Sequence, residues 1–296
     1  MVCRALLLLP LWACSSSSSN TADWMAELDD GRGLASLSIP GTHDTGALFE
    51  KYPGLSKCQD LTIADQLAAG VRFFDVRCRH YQDAFAIYHG AVDQNQSFDQ
   101  VLATMYGFLD AHPGEALIVS IQEEATPQNN TRSFEATFAD YVARDPQRWA
   151  LASTLPALGD VRGKLVLLRR FAATARPLGL DATGWPDNSS TAFSIPGDAA
   201  IRVQDAYMVA DNDLKWSRIT ALIDEARART DTLFLDFTSG YQTIDGLSNI
   251  PSVSDDINPR LDGLLGDAAN RQAHLGVLVM DHVTTARVDA VLSTNR

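Results

Sequence analysis

Two histidines, an arginine and neighbouring carboxylates in this chain could together perform proton transfer at a phosphate. His43 is followed by Asp44, Arg77 lies two residues after Asp75, and His89 follows a short apolar segment. Histidines have an unperturbed pKa of about 6.5, so one could accept and another donate a proton near neutral pH. A permanently charged guanidinium fits two phosphate oxygens at once. Cleavage of a phosphodiester by an adjacent hydroxyl needs these three functions: a base, an acid and a positive charge.

The elements that must position these residues are short apolar segments rich in Val, Ile, Leu and Phe, as strands buried on both faces are. They are residues 37–40, 71–76, 84–88, 116–121, 164–168, 200–203, 232–237 and 275–280. Segments with helical periodicity lie between several of them, at residues 97–111, 133–144, 214–230 and 259–273. This α/β alternation predicts a single distorted TIM-type (β/α)8 barrel. The link between the second and third strands is too short for a helix, so an irregular, helix-poor segment is expected there.

Polar residues follow nearly every predicted strand. In chain order they are His43 and Asp44, Asp75 and Arg77, His89, Gln122 and Glu124, Arg169 and Arg170, Asp205 and Tyr207, Asp236 and Thr238, and Asp281 and His282. The opposite ends of the strands carry no comparable set. Barrel enzymes build their sites at the carboxyl ends of the strands, so one site at this mouth is predicted.

Composition and charge exclude several classes of protein. With 46% hydrophobic residues in 296, the chain can bury a large core and is not a disordered or fibrous protein. A net charge of -13 argues against a nucleic-acid partner, because binding to a phosphate backbone is driven by clustered Lys and Arg. Nothing in the sequence indicates an oligomer, so a monomer is expected.

The N-terminal residues resemble an export signal. A short basic start precedes an apolar run too short to span a bilayer, and Leu11-Trp12-Ala13-Cys14 resembles a bacterial lipobox. Residues 1–13 are therefore predicted to be a lipoprotein-type signal peptide, Cys14 the lipidated residue, residues 14–23 a serine-rich tether and residues 24–296 the catalytic barrel. The protein would be exported and lipid-anchored to the envelope; ordinary cleavage to a freely secreted protein is the alternative.

Two cysteines, Cys58 and Cys78, lie in the predicted barrel. Export permits a disulfide between them, whereas spacing alone does not show whether their Cβ atoms face each other. A bonded pair and two free thiols both remain open.

Several of these segments resemble the X-domain motifs of phosphatidylinositol-specific phospholipase C: residues 38–46 (SIPGTHDTG), 72–77 (RFFDVR) and 88–90 (YHG). Further matches to the secreted bacterial enzymes are residues 167–171 (LLRRF), 185–188 (WPDN), 203–207 (VQDAY), 236–239 (DFTS), 257–259 (INP) and 276–281 (GVLVMD). The resemblance covers the chain from about Trp24 onward in collinear order. It implies cleavage of phosphatidylinositol to diacylglycerol and inositol 1,2-cyclic phosphate. The family also implies cleavage of glycosylphosphatidylinositol anchors, which cannot be predicted from the pocket residues themselves.

The resemblance also implies catalytic roles. His43 looks like the general base for the inositol 2-hydroxyl, with Asp281 holding its ring. His89 looks like the general acid for the diacylglycerol oxygen, with Asp44 coupled to it. Arg77 would neutralise the phosphoryl oxygens.

Arg77 with Asp75 implies a calcium-independent site without a cofactor, because the arginine would supply the charge that calcium supplies in related enzymes. Two alternatives stay open. Arg77 and Asp75 could form a purely structural ion pair, and several carboxylates could form an oxygen-rich calcium site: Asp44, Asp75, Glu124, Asp205 and Asp281.

Headgroup recognition is implied for a second set of residues. Arg170 and Asp205 look like partners of inositol hydroxyls, Tyr207 like a ring stacked on the sugar, and Trp185 like a residue at the pocket rim; core packing is the alternative for both aromatic residues. Gln122 stands where the family has a lysine, which removes a cationic contact. Asp75 and Glu124 complete the predicted substrate-binding set.

The expected partner is phosphatidylinositol at a membrane interface. Apolar loop residues on the catalytic side would enter the lipid or, alternatively, merely cap the barrel: Phe49, Tyr52, Leu55, Tyr241, Ile244, Leu247 and Ile250. Two other functions remain as alternatives. One is a metal-dependent glycerophosphodiesterase, and the other is a noncatalytic module that binds inositol lipids.

Overall fold

A computed structural model describes residues 21–295 of the chain. The predicted signal peptide, Cys14 and the tether up to residue 20 lie outside the described residues. Thr21–Asp23, assigned to the tether by sequence, instead form a 3-10 helix on the folded body. The Thr21 hydroxyl donates to the carbonyl of Ala68 at 3.0 Å. Among the described residues, packed structure therefore begins at Thr21.

The described helices and strands alternate along most of the chain. The helices are α1 (Ile63–Ala69), α2 (Phe98–Ala111), α3 (Phe134–Arg144), α4 (Leu158–Val161), α5 (Asn212–Arg227), α6 (Pro251–Gly266) and α7 (Thr285–Ser293). The strands are β1 (Ile39–Thr42), β2 (Phe73–Tyr81), β3 (Ala84–His89), β4 (Val92–Ser97), β5 (Leu117–Glu123), β6 (Trp149–Ala150), β7 (Leu165–Arg170), β8 (Leu180–Asp181), β9 (Phe193–Ile195), β10 (Ile201–Gln204), β11 (Leu233–Phe237), β12 (Gln242–Ile244), β13 (Leu247–Asn249) and β14 (Val277–Met280).

Eight parallel strands follow one another around the curled sheet, in the order β8, β7, β5, β2, β1, β14, β11, β10. The two-residue strand β6 adds a further parallel pairing at the start of β7. An antiparallel strand, β9, lies on the far side of β10. Within residues 21–295, no strand pairing joins β8 to β9 or β10, so the barrel is open at this seam. The predicted single distorted TIM-type barrel is confirmed.

The irregular segment predicted early in the barrel is an antiparallel arm. β2 runs directly into β3, which pairs with β4. Gln82 and Asp83 connect β2 to β3 with φ angles of 52° and 59°, as a tight two-residue hairpin requires. The prediction of residues 84–88 as a barrel strand was therefore wrong, and the short strand β8 completes the eight.

Two of the four predicted helices begin at the expected caps. The Ser97 side chain accepts from the backbone N–H of Gln100 in a capping box, and the Ser133 side chain caps α3 by accepting from the backbone N–H of Ala136. The fourth starts earlier than predicted, because Pro259 lies inside α6 rather than at its first turn. Among residues 21–295, no helix is long and apolar enough to cross a bilayer.

The end of the barrel opposite the predicted site is closed by a buried ion pair. Arg72 donates to Glu115 at 2.8 Å, and both side chains are inaccessible to solvent. Glu115 also accepts from the backbone N–H groups of Met25 and Ala26. The N-terminal segment is thereby fixed across the barrel floor, which leaves the other end open for chemistry.

Candidate active site

Strand register brings the predicted site residues side by side. Arg77 on β2 is the register neighbour of Gln122 on β5, and Gln122 is the neighbour of Arg170 on β7. Thr42 pairs with Met280, so the residues that follow them, His43 and Asp281, emerge together. Side chains far apart in sequence therefore meet at one edge of the sheet.

A cavity of about 450 Å³ opens at this edge. Nine of the predicted site residues line it: His43, Arg77, His89, Gln122, Glu124, Arg170, Trp185, Asp205 and Tyr207. Asp44, Asp75 and Asp281 are buried against these residues through the contacts below. The twelve predicted catalytic and substrate-binding residues thus form a single cluster.

His43 is held at both ring nitrogens. Its Nδ1 lies 2.7 Å from Asp281 Oδ1, and its Nε2 lies 2.9 Å from the Arg77 guanidinium. Because a carboxylate only accepts and a guanidinium only donates, we assign the proton to Nδ1 and the lone pair to Nε2. Gln59 steadies the backbone by donating to the carbonyls of His43 and Met280. This is the tautomer that a general base needs.

Arg77 connects the base to the carboxylates. It donates to Asp75 Oδ2 at 3.0 Å and to Glu124 Oε1 at 3.5 Å, while its remaining nitrogen faces His43. Burial alone would raise the pKa of Asp75, but Arg77 and Arg170 lower it to about 2. Asp75 therefore stays ionised and anchors both guanidinium groups. The Arg77–Asp75 ion pair exists, yet Arg77 also lines the cavity and contacts the base.

His89 faces His43 across the cavity, with ring centroids 6.5 Å apart. Its Nδ1 donates to the carbonyl of Ser56 at 3.1 Å, which leaves the Nε2 lone pair 4.0 Å from Asp44 Oδ2. Burial, followed by the charges of Arg77 and His43, lowers the pKa of His89 to about 4. A negative group between the two rings would oppose this shift.

Asp44 is buried in an unusual state. Neither carboxyl oxygen has a hydrogen-bond partner among the described residues, although Arg77 Nε lies 3.8 Å from Oδ2. Burial outweighs that attraction and raises the pKa of Asp44 well above its ordinary value. Its φ of 38° is also uncommon for a residue other than glycine. Strain and an unsatisfied buried group in one residue are typical of a functional position.

A second group of side chains shapes the wall beside the barrel seam. Trp185 donates from its indole to Asp205 at 3.0 Å, and the Arg170 guanidinium lies over its ring at 4.0 Å. Tyr207 lines the cavity and donates to Asp187 at 2.5 Å. Trp185 also packs on Phe237, so it serves the core and the cavity wall together. Charged groups and aromatic faces thus alternate along this wall.

Gln122 lies between Arg77 and Arg170 in register, and its Oε1 is buried without a partner within residues 21–295. Glu124, two residues later, accepts from the backbone N–H of Gly90 at 3.0 Å. This contact joins the end of β5 to the arm that carries His89.

Some polar strand ends do not reach the cavity. Asp236 joins a buried network in which Lys215 donates to the carbonyls of Ala206 and Phe237. Gln204 connects Lys215 to Asp236, because it accepts from the Lys215 ammonium at 3.3 Å and donates to Asp236 at 2.8 Å. Burial raises the pKa of Asp236 and lowers that of Lys215. These groups support the strand ends from which the wall projects.

Arg169, Thr238 and His282 also fall outside the cavity lining. Arg169 pairs with Asp181, and His282 pairs with Asp60. Thr238 donates to the backbone of Val279. A polar residue after a strand is therefore not a sufficient signal of a position in the cavity.

The two cysteines are free thiols, so the disulfide considered from sequence is not formed. Cys78 lies within β2, paired with Ile87 in the core. Cys58 Sγ lies in the site, within 4.8 Å of ligand atoms of His43 and Asp281. The two thiols belong to different parts of the barrel.

Sequence reasoning missed the residues supplied by the loop after β1. Ser56 holds His89 through its carbonyl, Cys58 lies beside both histidines, and Gln59 joins the β1 and β14 ends. This loop has no periodicity, and no motif quoted above covers it. Asp187 was also unassigned, although it lies within the WPDN motif.

Comparison with known proteins agrees with this geometry. The family model described as phosphatidylinositol-specific phospholipase C, X domain, matches residues 38–171. A 1-phosphatidylinositol phosphodiesterase from Staphylococcus aureus strain Newman is 30% identical over 286 residues, covering 91% of each chain. This chain belongs to the phosphatidylinositol-specific phospholipase C X-domain family.

Solved structures of this family share the fold. One is the phosphatidylinositol-specific phospholipase C of S. aureus, solved for work on the modulation of its membrane binding. It superposes on this chain with a TM-score of 0.83 at 26% identity. The superposition covers 94% of this chain and 99% of that one. The enzyme from Listeria monocytogenes gives a TM-score of 0.76 at 25% identity, with 94% and 99% covered.

The matched family region supplies only part of the site. His43, Arg77 and His89 lie within residues 38–171, whereas Asp205 and Asp281 lie beyond them. The family site is therefore completed by the second half of the barrel.

Proposed function

We propose that this protein is a phosphatidylinositol-specific phospholipase C that cleaves phosphatidylinositol to diacylglycerol and inositol 1,2-cyclic phosphate. One observation carries the proposal: His43 Nε2 and Arg77 lie 2.9 Å apart, and the His89 ring faces the His43 ring across the cavity with centroids 6.5 Å apart. Relatives named for this activity, covering nearly the whole chain, support it.

In the proposed reaction, His43 Nε2 accepts the proton of the inositol 2-hydroxyl as its oxygen attacks phosphorus. The bond from phosphorus to the diacylglycerol oxygen breaks, and His89 donates the proton that this oxygen needs. Arg77 stabilises the charge that develops on the phosphoryl oxygens. Because burial lowers the pKa of free His89 to about 4, the phosphate anion itself is needed to favour its charged form.

We propose that the reaction is independent of calcium. Calcium prefers six to eight oxygen ligands. Two carboxylates in this cluster, Asp75 and Glu124, are instead paired with Arg77, and Asp281 is engaged by His43. Within residues 21–295, each group of three donors close enough to share an ion includes the Cys58 thiol and a histidine, which calcium disfavours.

The inositol ring would bind against the wall formed by Arg170, Trp185, Asp205 and Tyr207. Arg170 supplies donors and Asp205 supplies an acceptor for hydroxyl groups, and the Tyr207 ring supplies an apolar face. Gln122 Oε1 is available as a further acceptor. Cleavage of glycosylphosphatidylinositol anchors by the same chemistry is part of the proposal.

The membrane would meet two loops at the cavity mouth. The loop after β1 exposes Phe49 and Tyr52. The tip of the β12–β13 hairpin exposes Ile244 and Leu247, and Leu247 is 65% exposed. The loops are joined by a hydrogen bond from Ile250 to Gly54 at 2.9 Å. Ile250 itself is buried and Leu55 and Tyr241 are partly buried, so these three fit the alternative of capping the barrel.

Export, attachment through Cys14 and a monomeric state also remain proposals. Mass spectrometry of the protein from its native host would detect an acyl group on Cys14, and a mature unmodified protein would exclude the anchor. Sedimentation velocity would test the monomer.

The central test is phosphorus NMR of vesicles of phosphatidylinositol or phosphatidylcholine incubated with purified protein in excess chelator and then in calcium. A cyclic phosphate signal that persists in chelator supports the proposal. Activity only with calcium would favour the metal-dependent phosphodiesterase. Vesicle binding without turnover would favour the binding module.

A further inference from the structure

The Cys58 thiol beside the catalytic groups has no function in the proposed reaction. Its Sγ, an Asp44 carboxyl oxygen and a His89 ring nitrogen all lie within 4.8 Å of one another. Thiolate, imidazole and carboxylate are the three ligand types that proteins use for zinc. We propose that Asp44, Cys58 and His89 form a binding site for a thiophilic divalent cation such as Zn²⁺, and that occupancy of this site inhibits the enzyme.

Two of the three donors, Asp44 and His89, have a lone pair that no hydrogen bond within the described residues uses. Asp44 is fully buried, and both of its carboxyl oxygens lack a hydrogen-bond partner in the described part of the chain. His89 donates from Nδ1 to the Ser56 carbonyl, so its Nε2 lone pair is available on the side of Asp44. Metal-binding histidines are held in this way, with the second nitrogen donating to a backbone carbonyl or a carboxylate.

The distances suit a small ion. Asp44 Oδ2 and His89 Nε2 lie 4.0 Å apart. Tetrahedral zinc, with bonds of about 2.0 to 2.3 Å, places its ligands roughly 3.3 to 3.8 Å from one another. Side-chain movements of about 1 Å or less would therefore close the site, and water from the cavity could take the fourth position.

The surrounding charge favours a cation. Arg77 Nε lies 3.8 Å from Asp44, but Arg77 is itself paired with Asp75 and Glu124. Asp281 adds a further carboxylate next to Cys58. An ion would enter from the cavity, because the His89 side chain is 20% exposed there.

Binding would release the thiol proton of Cys58 and any proton held by the Asp44 carboxyl group to solvent, and metal bonds would form to sulfur, nitrogen and oxygen. The His89 nitrogen that gives its proton to the leaving oxygen would then be occupied. Thiolate ligation selects zinc, cadmium or cobalt over calcium and magnesium. The inhibition rests on the proposed function, whereas metal binding does not.

The binding test uses the reduced full chain, titrated with ZnCl₂ in a calorimeter and with CoCl₂ in a spectrophotometer. We expect a thiolate-to-cobalt charge-transfer band in the wild type and in Cys78→Ser, the matched control for the second buried cysteine. Cys58→Ser should lack the band and bind Zn²⁺ at least about tenfold more weakly. The absence of the band in wild type, or equal Zn²⁺ affinity in wild type and Cys58→Ser, would overturn the site.

The activity test follows phosphatidylinositol turnover with increasing ZnCl₂. Wild type and Cys78→Ser should be inhibited and recover with chelator, while Cys58→Ser, measured against its own rate without zinc, should need at least about tenfold more Zn²⁺ for half-inhibition. If turnover is unchanged at a Zn²⁺ concentration that saturates the Asp44–Cys58–His89 site, the proposed inhibition is wrong, whereas the proposed metal binding still stands. If Cys58→Ser folds poorly, His89→Gln provides the binding comparison, and wild-type Zn²⁺ affinity in that variant would also overturn the site.

Discussion

Replacing Asp281 with asparagine would test the general base with almost no change in shape. Asp281 Oδ1 accepts from His43 Nδ1 at 2.7 Å, and Oδ2 accepts from the backbone N–H of Gly240 at 3.3 Å. An asparagine has one oxygen for these two donors. In one orientation the asparagine NH₂ group faces the Gly240 N–H, so two donors meet. In the other, the NH₂ group faces His43 Nδ1 and forces the ring proton onto Nε2, where the lone pair is needed.

The expected loss follows from the charge. When His43 takes the substrate proton it becomes an imidazolium next to Asp281, which is 1% exposed. Opposite charges about 4 Å apart attract by roughly 4 kcal/mol at an effective dielectric of about 20. Losing that attraction in the transition state lowers kcat by about 10³-fold. The wrong tautomer would increase the loss toward about 10⁴-fold, the effect of the same substitution in a serine protease triad.

The assay is turnover of phosphatidylinositol vesicles, followed by phosphorus NMR, with urea unfolding as a check of the fold. Asp60→Asn is a matched control, because Asp60 accepts from His282 Nδ1 at 2.8 Å outside the cavity. We expect it to leave kcat within about twofold, as no reacting group depends on that pair. A folded Asp281→Asn protein that loses less than tenfold would refute the role of Asp281 and the tautomer assigned to His43.

Four further predictions follow. Because burial lowers the pKa of free His89 to about 4 and a bound phosphate opposes this, the high-pH limb of kcat should lie at higher pH than that of kcat/KM. Coincident limbs would argue against His89 as the acid. Gln122→Lys adds a charged donor at a position whose side-chain oxygen is buried and unpaired. The inhibition constant for free inositol should therefore fall about tenfold while kcat stays nearly unchanged. Weaker inhibition by inositol would contradict this. Lys215→Met removes a buried ammonium that donates to the carbonyls of Ala206 and Phe237 and offsets the charge of Asp236, so it should lower the free energy of unfolding in urea by about 3–5 kcal/mol. Arg218→Met on the same helix should change it by less than about 1 kcal/mol. Leu247→Asp at the exposed hairpin tip should weaken vesicle binding without reducing hydrolysis of soluble cyclic phosphate; equal vesicle binding would argue against membrane insertion there.

The barrel could be predicted because its strands are uniformly apolar and its helices periodic. The exceptions have local physical causes. The apolar composition of residues 84–88 predicts a strand correctly, but it does not show whether that strand runs parallel or antiparallel to its neighbour. Their antiparallel pairing is set by the two-residue turn at Gln82 and Asp83. β8 has only two residues, Leu180 and Asp181, too few for any periodicity.

The site could be located by the polar residues that follow strands and by the family motifs. Neither signal separates Asp205, which lines the cavity, from Asp236, which is buried in the Lys215 network. The difference depends on tertiary packing around each carboxylate. Cys58 was found only by its position in space, because a cysteine in an aperiodic loop has no pattern that reports its neighbours.

In the proposed reaction, Arg77 would also couple substrate binding to activation of the base. In the structure it donates to His43 Nε2, the lone pair that must accept the inositol proton. That nitrogen cannot accept both hydrogen bonds at full strength, so Arg77 must turn away before His43 can act. An incoming phosphate oxygen provides the alternative acceptor, while Asp75 continues to hold the other side of the guanidinium at 3.0 Å. The base is therefore released only when the phosphate is bound beside it, which keeps the activated imidazole and the neutralised phosphate together in one state.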